Sequence, residues 1–266
     1  MLAINTDYRR AFADLELNAF DSIVDFFGGD QLPRQTAVLV KRETFPLPDG
    51  KTLSVFYKQY EHRPPSWRFF GRLSKARCEF ANYAVFNRLG IRCAEPLACG
   101  ERRDGLGRLR RAFIITRAVP EALNLADFLK KHCPNRASAS GRKLRDALRR
   151  QLAAMTQQIH RAGFFHHDLV WRNVLVSWPP GAEPQICWID CPRGRFDRWS
   201  PWRDRRRLKD LASLDKSAAT HCTRGERVAF VKEYLGASRL EPGVKQLIRD
   251  ALAYRQRRWP EDWHED

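Results

Sequence analysis

The alternation of apolar and polar positions changes period once along this chain, near residue 120. Upstream, residues 37–39, 44–47 and 53–60 are short runs rich in apolar and β-branched side chains, with Pro48-Asp49-Gly50 as a turn between the last two. This pattern predicts an antiparallel meander. A helix follows, with Ser74 as its N-cap, Lys75 and Glu79 four apart, apolar positions at Phe80, Tyr83, Phe86 and Leu89, and Gly90 as its stop. Strand character returns over residues 112–116, with two consecutive isoleucines, and ends at the connector Arg117-Ala118-Val119-Pro120.

Downstream the period is helical. Leu144, Leu148, Leu152, Met155 and Ile159 recur at steps of four and three before Gly163, which predicts a helix over residues 142–162 with one face in the core. Thr223 and Glu226 form a capping box that opens another helix through Leu235, and Pro242 sits where a proline opens the last one. The chain therefore divides into a β-rich lobe, residues 1–118, and a helical lobe, residues 119–266.

The chemistry concentrates between Gly163 and the apolar run that begins at Val174. A polar loop there holds Asp168 and Asn173 five residues apart. After a turn at Ser177-Trp178-Pro179-Pro180-Gly181, a second strand runs from Gln185 and ends in Asp190. The two hairpin strands carry Asn173 and Asp190 to one end. An amide oxygen and a carboxylate converging there suit Mg²⁺, a hard cation that accompanies substrate phosphates. Asp168 is left to orient a hydroxyl and accept its proton as it attacks phosphorus. An isolated Asp and Asn in a loop are commonly turn formers; the flanking strand and the second Asp favour the catalytic reading.

Composition narrows the class. The 266 residues carry 48 Lys+Arg against 31 Asp+Glu, a net charge of +17, yet 43% are hydrophobic. Such a chain folds and attracts polyanions. The seven cysteines are scattered without a C-x-x-C pair and read as reduced thiols. Cys187 and Cys191 with His166 and His167 nearby are a weak metal constellation, and ordinary packing is the better account. The first residues lack the apolar core of a secretory signal, and no run approaches the roughly 18 apolar residues of a membrane span. A cytoplasmic protein with at most peripheral membrane contact is expected, and no motif predicts specific nucleic-acid binding.

The H-x-D-x4-N loop, His166 to Asn173, followed by the strand-end Asp190, resembles the protein-kinase-like catalytic core. The resemblance implies an α+β, two-lobed protein-kinase-like fold, a small β-rich N-lobe with a reduced helical C-lobe. Lys58, inside the third strand, resembles the phosphate-anchoring lysine, and Glu79 in the next helix its partner. A plainer alternative leaves Lys58 a strand-edge charge and pairs Glu79 with Lys75. By order along the chain, Thr116, Arg117, Ala118 and Val119 are the nearest candidates to offer backbone groups to adenine. No G-x-G-x-x-G precedes Lys58. Lys41-Arg42-Glu43-Thr44 is expected at the tip of the first hairpin, where Lys41 and Arg42 would replace the backbone phosphate cradle with side-chain cations. Arg172, four after Asp168, is expected to stabilise charge on the transferring phosphoryl group. Cys191-Pro192-Arg193-Gly194 follows Asp190, no A-P-E appears, and only 76 residues remain, too few for a eukaryotic activation segment and substrate lobe.

More closely, the chain is similar to the bacterial lipopolysaccharide kinase family, the Kdo/WaaP and InaA-like group, over most of its length. The similarity extends into Arg207-Leu208-Lys209-Asp210-Leu211-Ala212-Ser213-Leu214, where Asp210 is expected to buttress the catalytic loop from a helix. It implies ATP, Mg²⁺ and an acceptor sugar hydroxyl, heptose above others, on a lipid A-linked core oligosaccharide. The group also contains stress-associated members, so a kinase of another acceptor and a non-catalytic binding protein stand as alternatives. The complete set of Lys58, Glu79, Asp168, Asn173 and Asp190 argues against the second. The charge matches an acceptor at the anionic inner-membrane surface. Basic residues are densest at Arg102, Arg103, Arg108, Arg110 and Arg111, and from Arg193 through Arg198 to Arg203, Arg205, Arg206, Arg207 and Lys209. Residues 64–72 interleave Trp67, Phe69 and Phe70 with Arg68 and Arg72, a composition suited to a headgroup interface or to an outer cover of the lobe with solvated arginines.

Overall fold

The computed structural model of the chain describes residues 1–28, 37–136, 138–197 and 201–262. They fall into two units, Met1–Asn87 with Cys93–Ala118, and Arg88–Arg92 with Val119–Asp266.

The first unit is built on a five-stranded antiparallel sheet. Its strands are β1 (Leu2–Ile4), β2 (Val38–Pro46), β3 (Thr52–Ser66), β4 (Pro96–Arg103) and β5 (Leu109–Arg117), in the order β1-β4-β5-β3-β2. The two apolar runs predicted before the Pro48-Asp49-Gly50 turn are one strand. Lys41, Arg42 and Glu43 therefore lie within β2, opposite Tyr57, Phe56 and Val55, and the turn comes only after Pro46. The expectation of a basic hairpin tip is corrected here: on a strand with one solvated face, charged side chains do not interrupt pairing.

Period-2 alternation sorts β2 and β3 by face. Phe45, Val55 and Tyr57 are buried with Phe113 and Ile115 against α1 (Arg9–Asp14) and α2 (Phe20–Phe26), which contribute Phe12, Ile23 and Val24. Each such side chain contributes roughly 1.5–3 kcal/mol on burial. Gly100 on β4 lets this cover close, since a Cβ there would sit 2.6 Å from the Phe113 ring and 2.9 Å from that of Phe20. The opposite face meets α3 (Lys75–Arg88), which begins as predicted: the Arg77 amide donates to Ser74 Oγ over 3.2 Å.

The second unit is mostly helical: α4 (Leu125–His132), α5 (Ala139–Arg161), α6 (Arg203–His221), α7 (Arg224–Leu235) and α8 (Pro242–Arg258). The capping box of α7 and the proline opening α8 are as the sequence predicts. Leu148, Leu152 and Ile159 form the buried stripe of α5, and Ala153 joins Leu211, Tyr234, Leu247 and Ala251 in a core shared with α6, α7 and α8. Arg145 fastens α5 to α7, pairing through Nε with Glu226 and donating from Nη2 to the His221 carbonyl over 2.7 Å. A cavity of about 620 Å³ opens among these helices, lined by Leu129, Leu148, Leu211, Val228, Phe230 and Leu247. Two small antiparallel sheets carry the polar loops: β6 (Leu123–Asn124), β8 (Val174–Ser177) and β9 (Gln185–Trp188) in one, β7 (Phe164–Phe165) and β10 (Arg195–Phe196) in the other. No helix among the described residues is long and apolar enough to cross a membrane.

Candidate active site

In the first unit, β3 and α3 place Lys58 Nζ 3.4 Å from Glu79 Oε2, with both side chains largely buried. Tyr83, one turn on from Glu79, donates its hydroxyl to Glu79 Oε1 over 3.0 Å and so fixes the carboxylate. The ammonium also stands over the Tyr60 ring at 5.4 Å. The register pairs Val40 with Lys58 and Arg42 with Phe56, so Arg42 shares the face of Lys58. Lys41 falls on the other face, where its Nζ lies 3.4 Å from the carbonyls of Phe27 and Gly28. The two cations expected to act together are therefore separated by the sheet. Thr116, opposite Phe56, lies on the Lys58 face. The amides of Arg117 and Ala118 already donate to Glu95 and Ser54 carbonyls, each over 2.8 Å, so neither N–H is available to a base.

In the second unit, the catalytic-loop sequence is held from below. Asp210, fully buried on α6, accepts the His166 amide on Oδ2 over 2.7 Å and the His167 amide on Oδ1 over 2.8 Å. His160 on α5 adds Nε2 at 3.3 Å, and its Nδ1 lies 2.9 Å from the Tyr234 hydroxyl on α7. Burial opposes ionisation of Asp210, but the bond from His160 and the surrounding imidazoles overcome it and hold the carboxyl below its ordinary range. Burial lowers the pKa of His166, with the charges of Asp210, Asp168 and Asp190 opposing. His166 Nδ1 accepts the Asp168 amide at 3.3 Å, which leaves the imidazole proton on Nε2.

Asn173, buried at the start of β8, donates Nδ2 to the Asp168 carbonyl over 2.9 Å, and its Oδ1 remains as an acceptor. The Ile189 amide donates to the Asn173 carbonyl over 3.0 Å, which ties the residue before Asp190 to the loop exit. Asp190 itself has φ of 57°, a left-handed conformation that non-glycine residues adopt chiefly where the surroundings impose it. Asn173 Oδ1 and the Asp190 carboxylate are oxygen donors of the kind a hard divalent cation takes.

Arg172 is 73% exposed and its Nη2 lies 3.9 Å from Asp168 Oδ2, whose side chain is 27% exposed. Lys209 is half-buried; burial lowers its pKa while Asp210 and Asp168 oppose, and Arg193 lies within electrostatic reach. Arg206 is paired with Asp197, and Arg198 lies outside the described residues. The sequence pattern did not single out His160, and it offered Lys209 only as part of a basic run, where adjacency to Asp210 was the available signal.

His167 has φ of 65° and its Nε2 is buried without a hydrogen-bond partner among the described residues. Burial lowers its pKa from 6.5 to about 4, Asp210 opposing and Lys209, Arg195 and Arg206 reinforcing. The folded chain thus holds a neutral ring that the unfolded chain protonates, so this contribution is whole above pH 6.5 and is lost as pH falls toward 4. Urea midpoints of wild type are expected to fall between about pH 7 and about pH 5, and His167→Asn, whose side chain tolerates φ > 0, to fall less. Equal falls would remove His167 as the cause.

A buried Lys–Glu pair on a sheet unit, followed by an Asp loop clamped by a helix and a strand-end Asp, defines a protein-kinase-like phosphotransferase. The lipopolysaccharide kinase (Kdo/WaaP) family model matches residues 56–234, and the chain belongs to that family. It is an ATP-dependent kinase acting on lipopolysaccharide, a phosphotransferase with a sugar hydroxyl as acceptor. The chain is also similar to a solved structure described as WaaP in complex with acyl carrier protein, at 24% sequence identity and TM-score 0.65, over 99% of this chain and 100% of that one. That likeness establishes the two-part kinase-like fold. No curated protein matches the chain.

Proposed function

We propose that the chain transfers the γ-phosphoryl group of ATP to a heptose hydroxyl of the lipopolysaccharide inner core, at the anionic cytoplasmic face of the inner membrane. The observation that carries the reading is the Asp168 loop: its backbone is pinned by Asp210 while its carboxylate stays accessible beside Arg172. Asp168 orients the sugar hydroxyl and accepts its proton as the oxygen attacks phosphorus. Arg172, exposed beside Asp168, stabilises charge on the group in transfer. Lys58, held by Glu79, anchors the nucleotide phosphates, and Arg42 adds charge on the same face. Lys41 is left out of this role by its position. Residues 1–118 serve the nucleotide, with carbonyl groups after Thr116 facing the base; residues 119–266 supply the catalytic loop, metal site and acceptor site. Asn173 and Asp190 hold Mg²⁺, which neutralises phosphate charge when bound.

Mass spectrometry of core oligosaccharide from a deletion strain tests the whole. A phosphate-sized loss on a heptose is expected, restored by wild type and not by Asp168→Asn. An unchanged core in every strain would move the acceptor elsewhere.

The apolar cavity favours an additional partner. We infer that it accommodates an acyl chain, presented by a carrier protein to this positively charged molecule, because its leucines, with Val228, Val231 and Phe230, supply an apolar lining while Arg145, Arg149, Asp215, Arg224, Glu226, Arg227 and Arg255 also line it. Acyl-charged carrier protein is expected to raise the thermal midpoint, uncharged carrier not to, and Leu211→Gln to abolish the effect; no shift with either carrier would remove this partner.

A further inference from the structure

The segment between β3 and α3 and the turn between β4 and β5 carry apolar side chains that no core of the first unit claims. Trp67 is 56% exposed, Phe70 57%, Leu73 43% and Leu106 60%. They are not strays on loose loops. The Trp67 and Phe70 rings are 5.5 Å apart, and Phe70 lies so close on Gly107 that a Cβ there would meet its ring at 3.2 Å. Arg103 then locks the two segments together. Its Nη1 donates to the carbonyls of Phe69 over 2.8 Å and Gly107 over 3.0 Å, its Nη2 to that of Arg72 over 2.7 Å, and its Nε to Glu101 over 3.0 Å. Holding large apolar groups rigidly in water is costly, so the arrangement calls for an occupant.

Cations interleave with the apolar groups. The Arg108 guanidinium stands 5.4 Å over the Trp67 ring and that of Arg68 6.0 Å over Phe69, while Arg68 and Arg72 are exposed. We propose that this cluster is a membrane-docking element. Trp67, Phe70, Leu73 and Leu106 enter the boundary between headgroups and acyl chains of an anionic bilayer, and the exposed Arg68 and Arg72 meet lipid phosphates, while Arg108 is paired with Asp104. Trp67, Phe70 and Leu106 are exposed by more than half, as entry into a bilayer requires, and the net charge of +17 complements an anionic leaflet. The proposal rests on the reading of a membrane-borne acceptor given above and identifies the surface that reaches it.

Full-length protein is floated with vesicles of phosphatidylcholine alone or with phosphatidylglycerol. Wild type is expected to float with the anionic vesicles. Trp67→Ser with Phe70→Ser should lower partitioning about tenfold or more, from the apolar area withdrawn. Arg68→Ala with Arg72→Ala should lower it about fivefold for each arginine, on anionic vesicles only. Leu240→Ser, exposed elsewhere, should change nothing, and thermal midpoints should hold throughout. Phosphorylation of delipidated core oligosaccharide should be unchanged in the Trp67/Phe70 double variant while that of vesicle-borne lipopolysaccharide falls. If wild type floats and the double variant floats equally, the docking element is overturned and the membrane reading survives. If wild type floats with neither vesicle, or its cluster binds an acidic carrier protein instead, the docking element is overturned. Failure of wild type on delipidated core strikes the proposed acceptor, independently of docking.

Discussion

Asp168→Asn is expected to lower kcat by about 10²–10⁴-fold, with little change in the Michaelis constant for ATP. The argument is geometric. The Asp168 backbone is fixed at both ends, its amide donating to His166 Nδ1 and its carbonyl accepting from Asn173 Nδ2. An amide side chain can therefore occupy the same place, so folding is preserved and only the proton acceptor is lost. Steady-state phosphoryl transfer to purified core oligosaccharide separates the outcomes. A kcat within a few-fold of wild type would take the catalytic role from this carboxylate. A loss confined to the Michaelis constant would make it a binding group.

Asp210→Ala is expected to reduce both activity and stability. It strands the amides of His166 and His167 and leaves His160 Nε2 without its carboxylate, all in a buried setting. Each unsatisfied group costs about 1–3 kcal/mol, so several kcal/mol in all, a large share of ordinary domain stability. Asp210→Asn retains one acceptor and should fall between wild type and alanine. Urea unfolding monitored by tryptophan fluorescence, together with kcat, checks the series. If alanine unfolds at the wild-type midpoint, the clamp does not bear on stability. If kcat is also unchanged, the loop does not depend on it.

Much of the site was legible because its residues sit at element boundaries with strong local signals. Gly163 follows α5 and the apolar run at Val174 opens β8, so the polar stretch that holds Asp168 and Asn173 was legible as a connection, although β7 and a 3-10 turn over Trp171–Asn173 lie within it. The strand and the capped helix located Lys58 and Glu79, but their pairing was expected only from the family resemblance, which the structure bears out at 3.4 Å. The capping box at Thr223 was legible for the same reason. What failed was subtler. Lys41 and Arg42 read as a turn because charge was taken as a break, whereas a solvated strand face accommodates it. Once paired, their one-residue offset put them on opposite faces, a matter of register that no composition reveals. The helices α1 and α2 escaped notice because each is only one or two turns long and is held by packing under the sheet. His160 gave no signal because its partners, Tyr234 and Asp210, are 74 and 50 residues away.

The ladder from Tyr234 through His160 to Asp210 has a consequence for how the molecule breathes. It joins α7, α5 and α6 to two amide protons of the loop, so those protons face a buried carboxylate and not solvent. Local fraying does not free them; the helices must part first. The start of the Asp168 loop is thus tied to the helical core, and the amide protons of His166 and His167 are expected to exchange with deuterium far more slowly than those of an ordinary surface loop.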